Sequence, residues 1–315
     1  MSITNLVILI LIFLMSFDRN SNKDFESYFE ETFQVIKAES IKSKEIDWDE
    51  LKQSVKDCIQ FNSYDDVLKA ISYTIELIND GHSTFWYGYR PDRLTIDTFC
   101  VPEIEARIIE DSIAYLRLPG FMANDSLTKE YSKSIRETVL RLDKQQLLSG
   151  WIIDLRKNRG GKMSRECLGL APLFKDPLVG IAVNNKGEFR YTTCDSNYFY
   201  HGDLKMDSLM ADLHLINNDK KIAVLINERT ASGGEFLALA FKFQDNTKVF
   251  GQRTKGLTSH LQLYTFDESD AKMFLAFEKY CDKDKNIIEG SILPDIECKD
   301  EICLSKATEW INSAK

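Results

Sequence analysis

Apolar positions recur at three- and four-residue spacing through residues 23–39, 47–61 and 64–79, a period that predicts three amphipathic helices. Asp47 and Ser63 stand where the second and third need side-chain acceptors for their first N–H groups. The third runs into Asp80-Gly81-His82-Ser83. Beyond it the pattern shortens to strand-like runs alternating with helical ones. Strands are predicted at 112–118, 151–155 and 222–226, helices at 126–146 and 163–174. Further strand-like runs lie at 247–251, 260–266 and 272–277, and an amphipathic helix at 305–312. Strands alternating with helices predict an α/β fold, and no internal repeat interrupts the pattern.

The exception is the start. An unbroken apolar run, Leu6 to Met15, precedes the polar stretch DRNSNKD. It is short for a spanning helix and suits a signal-peptide core or anchor, so residues 1–20 predict export to the cell envelope, secreted or membrane-anchored. Of the 315 residues, 49 are acidic and 40 basic, a net charge of −9 that argues against a nucleic-acid partner. The seven cysteines contain no C-x-x-C pair, so neither a zinc site nor a disulfide scaffold is suggested, and no metal or cofactor is expected. Export would permit a bridge between Cys298 and Cys303, while buried apolar cysteines are the default reading.

Candidate chemistry begins at residues 228–240, ERTASGGEFLALA. Ser232 and Glu235 spell a capping box before an apolar run. Yet Gly233 and Gly234 fall in the first helical turn, where each costs up to about 1 kcal/mol relative to alanine. A buried strand, a tight turn and a helix would expose Ser232 at the tip of a sheet, with the Gly233 N–H aimed at an oxyanion. The two glycines would then leave room for a substrate backbone. A second segment, Asp154-Leu155-Arg156-Lys157-Asn158-Arg159-Gly160-Gly161, has the same form, and Gly160 or Gly161 could supply the other donor. It lacks the P-loop lysine and hydroxyl and the dinucleotide spacing.

A nucleophilic serine needs a base. His201 and His214 fall in a polar, loop-rich region, His260 opens a strand, and His82 ends a helix. Lys255 is the other candidate, because a desolvated lysine can accept a proton. Glu235 either orients the base or completes the cap.

Six segments taken in order, DGHS at 80–83, IAYLRLPGF at 113–121, DLRKNRGG at 154–161, TASGGE at 230–235, GQRTKG at 251–256 and GSILPD at 290–295, resemble the C-terminal processing, or tail-specific, serine peptidases. The resemblance implies a ClpP/crotonase-like α/β core over 82–315 behind a small helical bundle over 23–81. Ser232 would be the nucleophile, with Gly233 and Gly160 or Gly161 as oxyanion donors. Only about thirty residues separate His82 from the strand at Ile113, too few for the PDZ domain such peptidases usually carry. Leu257 fills the place of the lysine in the Ser-Lys branch. Both departures match the PDZ-less branch similar to the nisin resistance protein, membrane-anchored and using a Ser-His dyad, which implies His82 as base and a peptide or protein substrate cut near its carboxyl end. An alternative from another class is a binding protein on the same fold, with Phe85-Trp86-Tyr87-Gly88-Tyr89 lining an apolar pocket.

Overall fold

Local side-chain caps start the first helices where the polar positions predict them. The computed structural model describes residues 14–15, 24–87, 100–145, 147–210, 219–266 and 270–313. In chain order these form β1 (Leu14–Met15), α1 (Phe25–Glu39), α2 (Trp48–Cys58), α3 (Tyr64–Ile78), β2 (Thr84–Trp86), β3 (Glu105–Ile109) and β4 (Ile113–Arg117). Next come α4 (Asp125–Gln145), β5 (Gly150–Asp154), α5 (Met163–Leu170), β6 (Leu178–Asn184), β7 (Phe189–Cys194), β8 (Tyr198–His201) and β9 (Leu204–Ser208). The rest are β10 (Lys221–Ile226), α6 (Gly233–Lys242), β11 (Thr247–Gly251), β12 (Ser259–Phe266), β13 (Lys272–Cys281), β14 (Ile296–Glu297) and α7 (Asp300–Asn312). The described residues fall into two compact units, one drawn from 1–91, 184–188 and 259–279, the other from 92–183, 189–258 and 280–315.

In the first unit Asp47 accepts from Asp49 N and Glu50 N, and Ser63 from Asp66 N, as helix caps do. The apolar faces of α1, α2 and α3 bury Phe29, Phe33, Trp48, Val55, Val67 and Ile71 with Phe85, Phe266 and Met273 of the strands. Strand β13 pairs antiparallel with β12 and β2, and β1 lies parallel to β12. Apart from Leu14 and Met15 the apolar leader lies outside the described residues, as do His214 and Gly88-Tyr89. No helix of the described residues is long and apolar enough to cross a membrane.

The second unit is built on a six-stranded sheet of order β14-β11-β10-β5-β4-β3. All its neighbours are parallel except β3 and β4. Strand β5 is buried along its whole length, and so is β10 after Lys221. Such continuous apolar runs suit a parallel sheet covered on both faces. One face packs α4, α5 and α6 through Trp151, Ile153, Val224, Leu168, Phe236 and Leu237, and the other packs α7 through Ile152, Leu225, Cys303 and Ile311.

Several elements differ from the pattern. The helix predicted over 163–174 stops at Leu170 and tightens into a 3-10 turn, Ala171–Leu173, because Pro172 has no N–H to continue it. Helix α7 starts at Asp300, five residues early, with Asp300 and Glu301 favourably placed in its first turn. Residues 178–208 form an antiparallel meander, β6 to β9, rather than loops. His201 accordingly sits in β8, its Nδ1 2.9 Å from Thr192 Oγ1 of β7. Cys298 and Cys303 are joined in a disulfide, and Cys167, Cys194 and Cys281 are buried. Cys58 and Cys100 are exposed, against the default of burial.

Candidate active site

Strand β10 feeds a short turn in which Thr230 Oγ1 donates to Leu155 O at 3.0 Å, tying it to the end of β5. Two residues on, Ser232 has φ +50° and ψ −115°. Side chains other than glycine rarely tolerate that backbone, and holding it costs about 1–3 kcal/mol. The surrounding bonds enforce it. Ala231 N donates to Asn158 O at 3.1 Å, Gly234 N to Ala231 O at 2.9 Å, and Ser232 N to Glu235 Oε2 at 2.8 Å.

Glu235 does more than complete the cap. Its fully buried carboxylate also accepts from Gly256 N at 2.7 Å, Leu257 N at 2.8 Å and the Thr254 hydroxyl. One side chain thus fastens the 254–257 loop to the Ser232 turn. Lys255 is in that loop, its N–H bonded to Thr230 O at 2.9 Å and its side chain exposed.

The glycines of the two turns meet backbone to backbone. A Cβ on Gly233 would lie 2.8 Å from Gly161 O and 2.9 Å from Gly161 N, and one on Gly234 would lie 2.7 Å from Asn158 O. The room that Gly233 and Gly234 leave is therefore filled by the Asn158–Gly161 turn, not by substrate. Gly160, at φ +99°, packs against Ser232 so closely that a Cβ there would be 2.9 Å from the serine Cβ. Its N–H is already donated, to Asn158 Oδ1 at 3.0 Å. The N–H groups of Gly161 and Gly233 donate to no other described residue. An electron-rich oxygen beside Ser232 would find donors there, reinforced by the amino end of α6.

Two buried acids brace this arrangement. Burial alone would raise the pKa of Asp154, but the charge and hydrogen bonds of Arg156 outweigh it and hold the carboxyl below its ordinary value. Arg156 grips it at 3.0 and 2.7 Å, and Tyr115 donates at 2.6 Å. Glu166, fully buried in α5, takes a long 3.4 Å bond from Asn158 Nδ2, and burial pushes its pKa up to about 7. Unfolded, this carboxyl ionises in the ordinary range. Its contribution to stability is therefore complete below that range and is lost as pH rises through about 7, by up to about 3 kcal/mol. Glu166→Gln, which keeps the neutral form, is expected to unfold at higher denaturant than wild type at pH 8 and at a similar concentration at pH 5. Parallel pH dependence of the two proteins would rule this out.

His82 belongs to the first unit. Helix α3 ends on Asn79 in the left-handed conformation, φ +46°, and Asp80 Oδ1 then accepts from His82 N at 2.9 Å and Ser83 N at 2.6 Å. Ser259 Oγ lies 2.7 Å from His82 Nδ1 and fixes the ring. Burial lowers the imidazole pKa to about 4 against the opposing charge of Asp80, leaving it neutral at pH 7. Sequence reasoning assigned no role to Ser259 or Asn158. Asn158 carried a signal, an amide two residues before a glycine in a strand-to-helix turn, whereas Ser259 carried none.

The model of peptidase family S41 matches residues 112–298, more than half the chain. The chain belongs to peptidase family S41. Across 83% of its length it is 28% identical to the nisin-resistance protein of Lactococcus lactis subsp. lactis, covering 79% of that protein. It is 26% identical over 230 residues to the chloroplastic carboxyl-terminal-processing peptidase 3 of Arabidopsis thaliana, but spans only 40% of its length. Among solved structures, a lipoprotein from Streptococcus agalactiae superposes with TM-score 0.76 at 21% identity, covering 92% of this chain and 97% of that one. The photosystem II D1 C-terminal processing protease superposes with TM-score 0.60 at 13% identity, covering 90% and 96%. This S41 chain thus has the mixed helix-and-sheet fold of S41 proteases, and membership implies a peptide or protein substrate.

Proposed function

We propose that this S41 chain is a serine endopeptidase that cleaves peptides or proteins near their carboxyl end, with Ser232 as nucleophile and His82 as base. The observation that carries the reading is the backbone of Ser232, strained at a strand-to-helix junction beside the undonated N–H groups of Gly161 and Gly233. A helix cap alone has no use for that strain, and neither does a binding module. In this reading residues 82–315 form a ClpP/crotonase-like protease core preceded by the helical segment 23–81, and the apolar leader delivers the protein to the cell envelope.

His82 takes the Ser232 proton as Oγ attacks the scissile carbonyl, and returns it to the departing amine. Water, deprotonated in turn, hydrolyses the acyl-enzyme and restores Ser232. In the tautomer whose Nδ1–H donates to Ser259 Oγ, Nε2 carries the basic lone pair this step needs. Gly161 rather than Gly160 is the second oxyanion donor, since Gly160 N–H is held by Asn158.

The pH profile tests the base. Activity requires neutral His82, so kcat/KM should stay level on acidification past the ordinary imidazole range and fall only near pH 4. His82→Ala should lose that limb together with turnover. Wild-type turnover in His82→Ala would remove the histidine from the mechanism.

A further inference from the structure

Three loops at the carboxyl ends of β5, β10 and β11 surround Ser232, and they carry seven cations, two of them ion-paired. Arg156 is paired with Asp154, and Lys162 with Asp125 and Asp207. Lys157, Arg159, Arg229, Arg253 and Lys255 are exposed and, among the described residues, their side chains form no ion pair or hydrogen bond. The backbone brings them together. Asn158, between Lys157 and Arg159, bonds to Ala231, and Lys255 N bonds to Thr230 O, the residue after Arg229. Gln252 N, next to Arg253, bonds to Ile226 O at the end of β10 at 3.2 Å.

Glu228 is the only acid exposed in these loops. In a chain with nine more acids than bases, such a cluster raises the local potential and repels itself, a cost that a bound anion relieves. We infer that these five cations form a collar that selects peptides carrying carboxylates, at an acidic side chain or the free carboxyl terminus, beside the bond to be cut. The substrate class rests on reading Ser232 as a peptidase nucleophile, but the collar can be measured without it.

Binding to Ser232→Ala would be read by fluorescence anisotropy with four otherwise identical peptides, bearing Asp or Asn beside the cleavage site and a free or amidated carboxyl terminus. The fully anionic peptide should bind about tenfold or more tighter than the amidated Asn peptide at low salt, with the advantage shrinking as salt rises. The two intermediate peptides show which carboxylate contributes. Replacing Arg159, Arg229 and Arg253 by Gln should abolish the preference while circular dichroism remains that of the parent. Equal binding of all four peptides, or preference unchanged in the triple variant, overturns the collar. A single-stranded oligonucleotide of equal charge that outcompetes the anionic peptide overturns it in favour of nucleic acid. Charge-selective binding with no cleavage of any peptide by the wild type leaves the collar and removes the peptidase reading; cleavage indifferent to charge does the reverse.

Discussion

Ser232→Ala is expected to lower peptide-bond cleavage by about 10⁴-fold or more, because without the oxygen no acyl-enzyme forms and only residual stabilisation by the site remains. The cap reading predicts something else: a loss of about 1 kcal/mol of stability and no selective loss of turnover. Ser232→Gly separates the two further. Glycine adopts φ +50°, ψ −115° without the steric cost borne by serine. It should therefore raise the unfolding free energy by roughly 1 kcal/mol while remaining inactive. Denaturant unfolding and cleavage of a quenched peptide measure both quantities. In cells, carboxyl-terminal proteomics should find termini present with the wild type and missing with Ser232→Ala. Indistinguishable profiles, together with active Ser232→Ala, would end the peptidase reading of this serine.

The second large effect is expected at the turn facing it. A Cβ on Gly161 would sit 2.3 Å from Phe121 O and 2.6 Å from Phe121 N, so Gly161→Ala must displace the backbone that carries the proposed oxyanion donor. Losing one such donor costs about 100-fold or more in turnover. The loss should appear in kcat with little change in KM, since the donor acts on charge that develops in the transition state. Some stability will go as well, so peptide binding by the Ser232→Ala/Gly161→Ala protein provides the control. If binding persists and kcat of Gly161→Ala is unchanged, Gly161 is not a donor. Gly160→Ala acts by another route, pressing a methyl onto the Ser232 Cβ at a backbone angle alanine resists.

What could be read along the chain was whatever depends on near neighbours. Periodic apolar positions located α1, α2, α3 and α4 within two or three residues at each end, and the continuous apolar runs located β5 and β10. The two glycine-bearing turns were visible too, since strand, turn and helix follow one another directly. The meander β6 to β9 was not, because β7 buries only two of its six residues and β9 only one of five. Strands so exposed owe their state to ladder partners rather than to their own composition.

The site divides in the same way. The sequence by itself determined which residues have suitable chemistry: a serine and glutamate spaced as a cap, paired glycines after two buried strands, and a histidine closing a helix. Only the tertiary structure decided what each of them is bonded to. Asn158 engages the N–H of Gly160 and leaves that of Gly161, Glu235 reaches 22 residues on to Leu257, and Ser259 fixes His82 from 177 residues away. Capping and periodicity act over one or two turns of chain, so they leave a trace in the sequence. Which buried donor meets which acceptor is settled when distant segments pack and every polar group must find a partner.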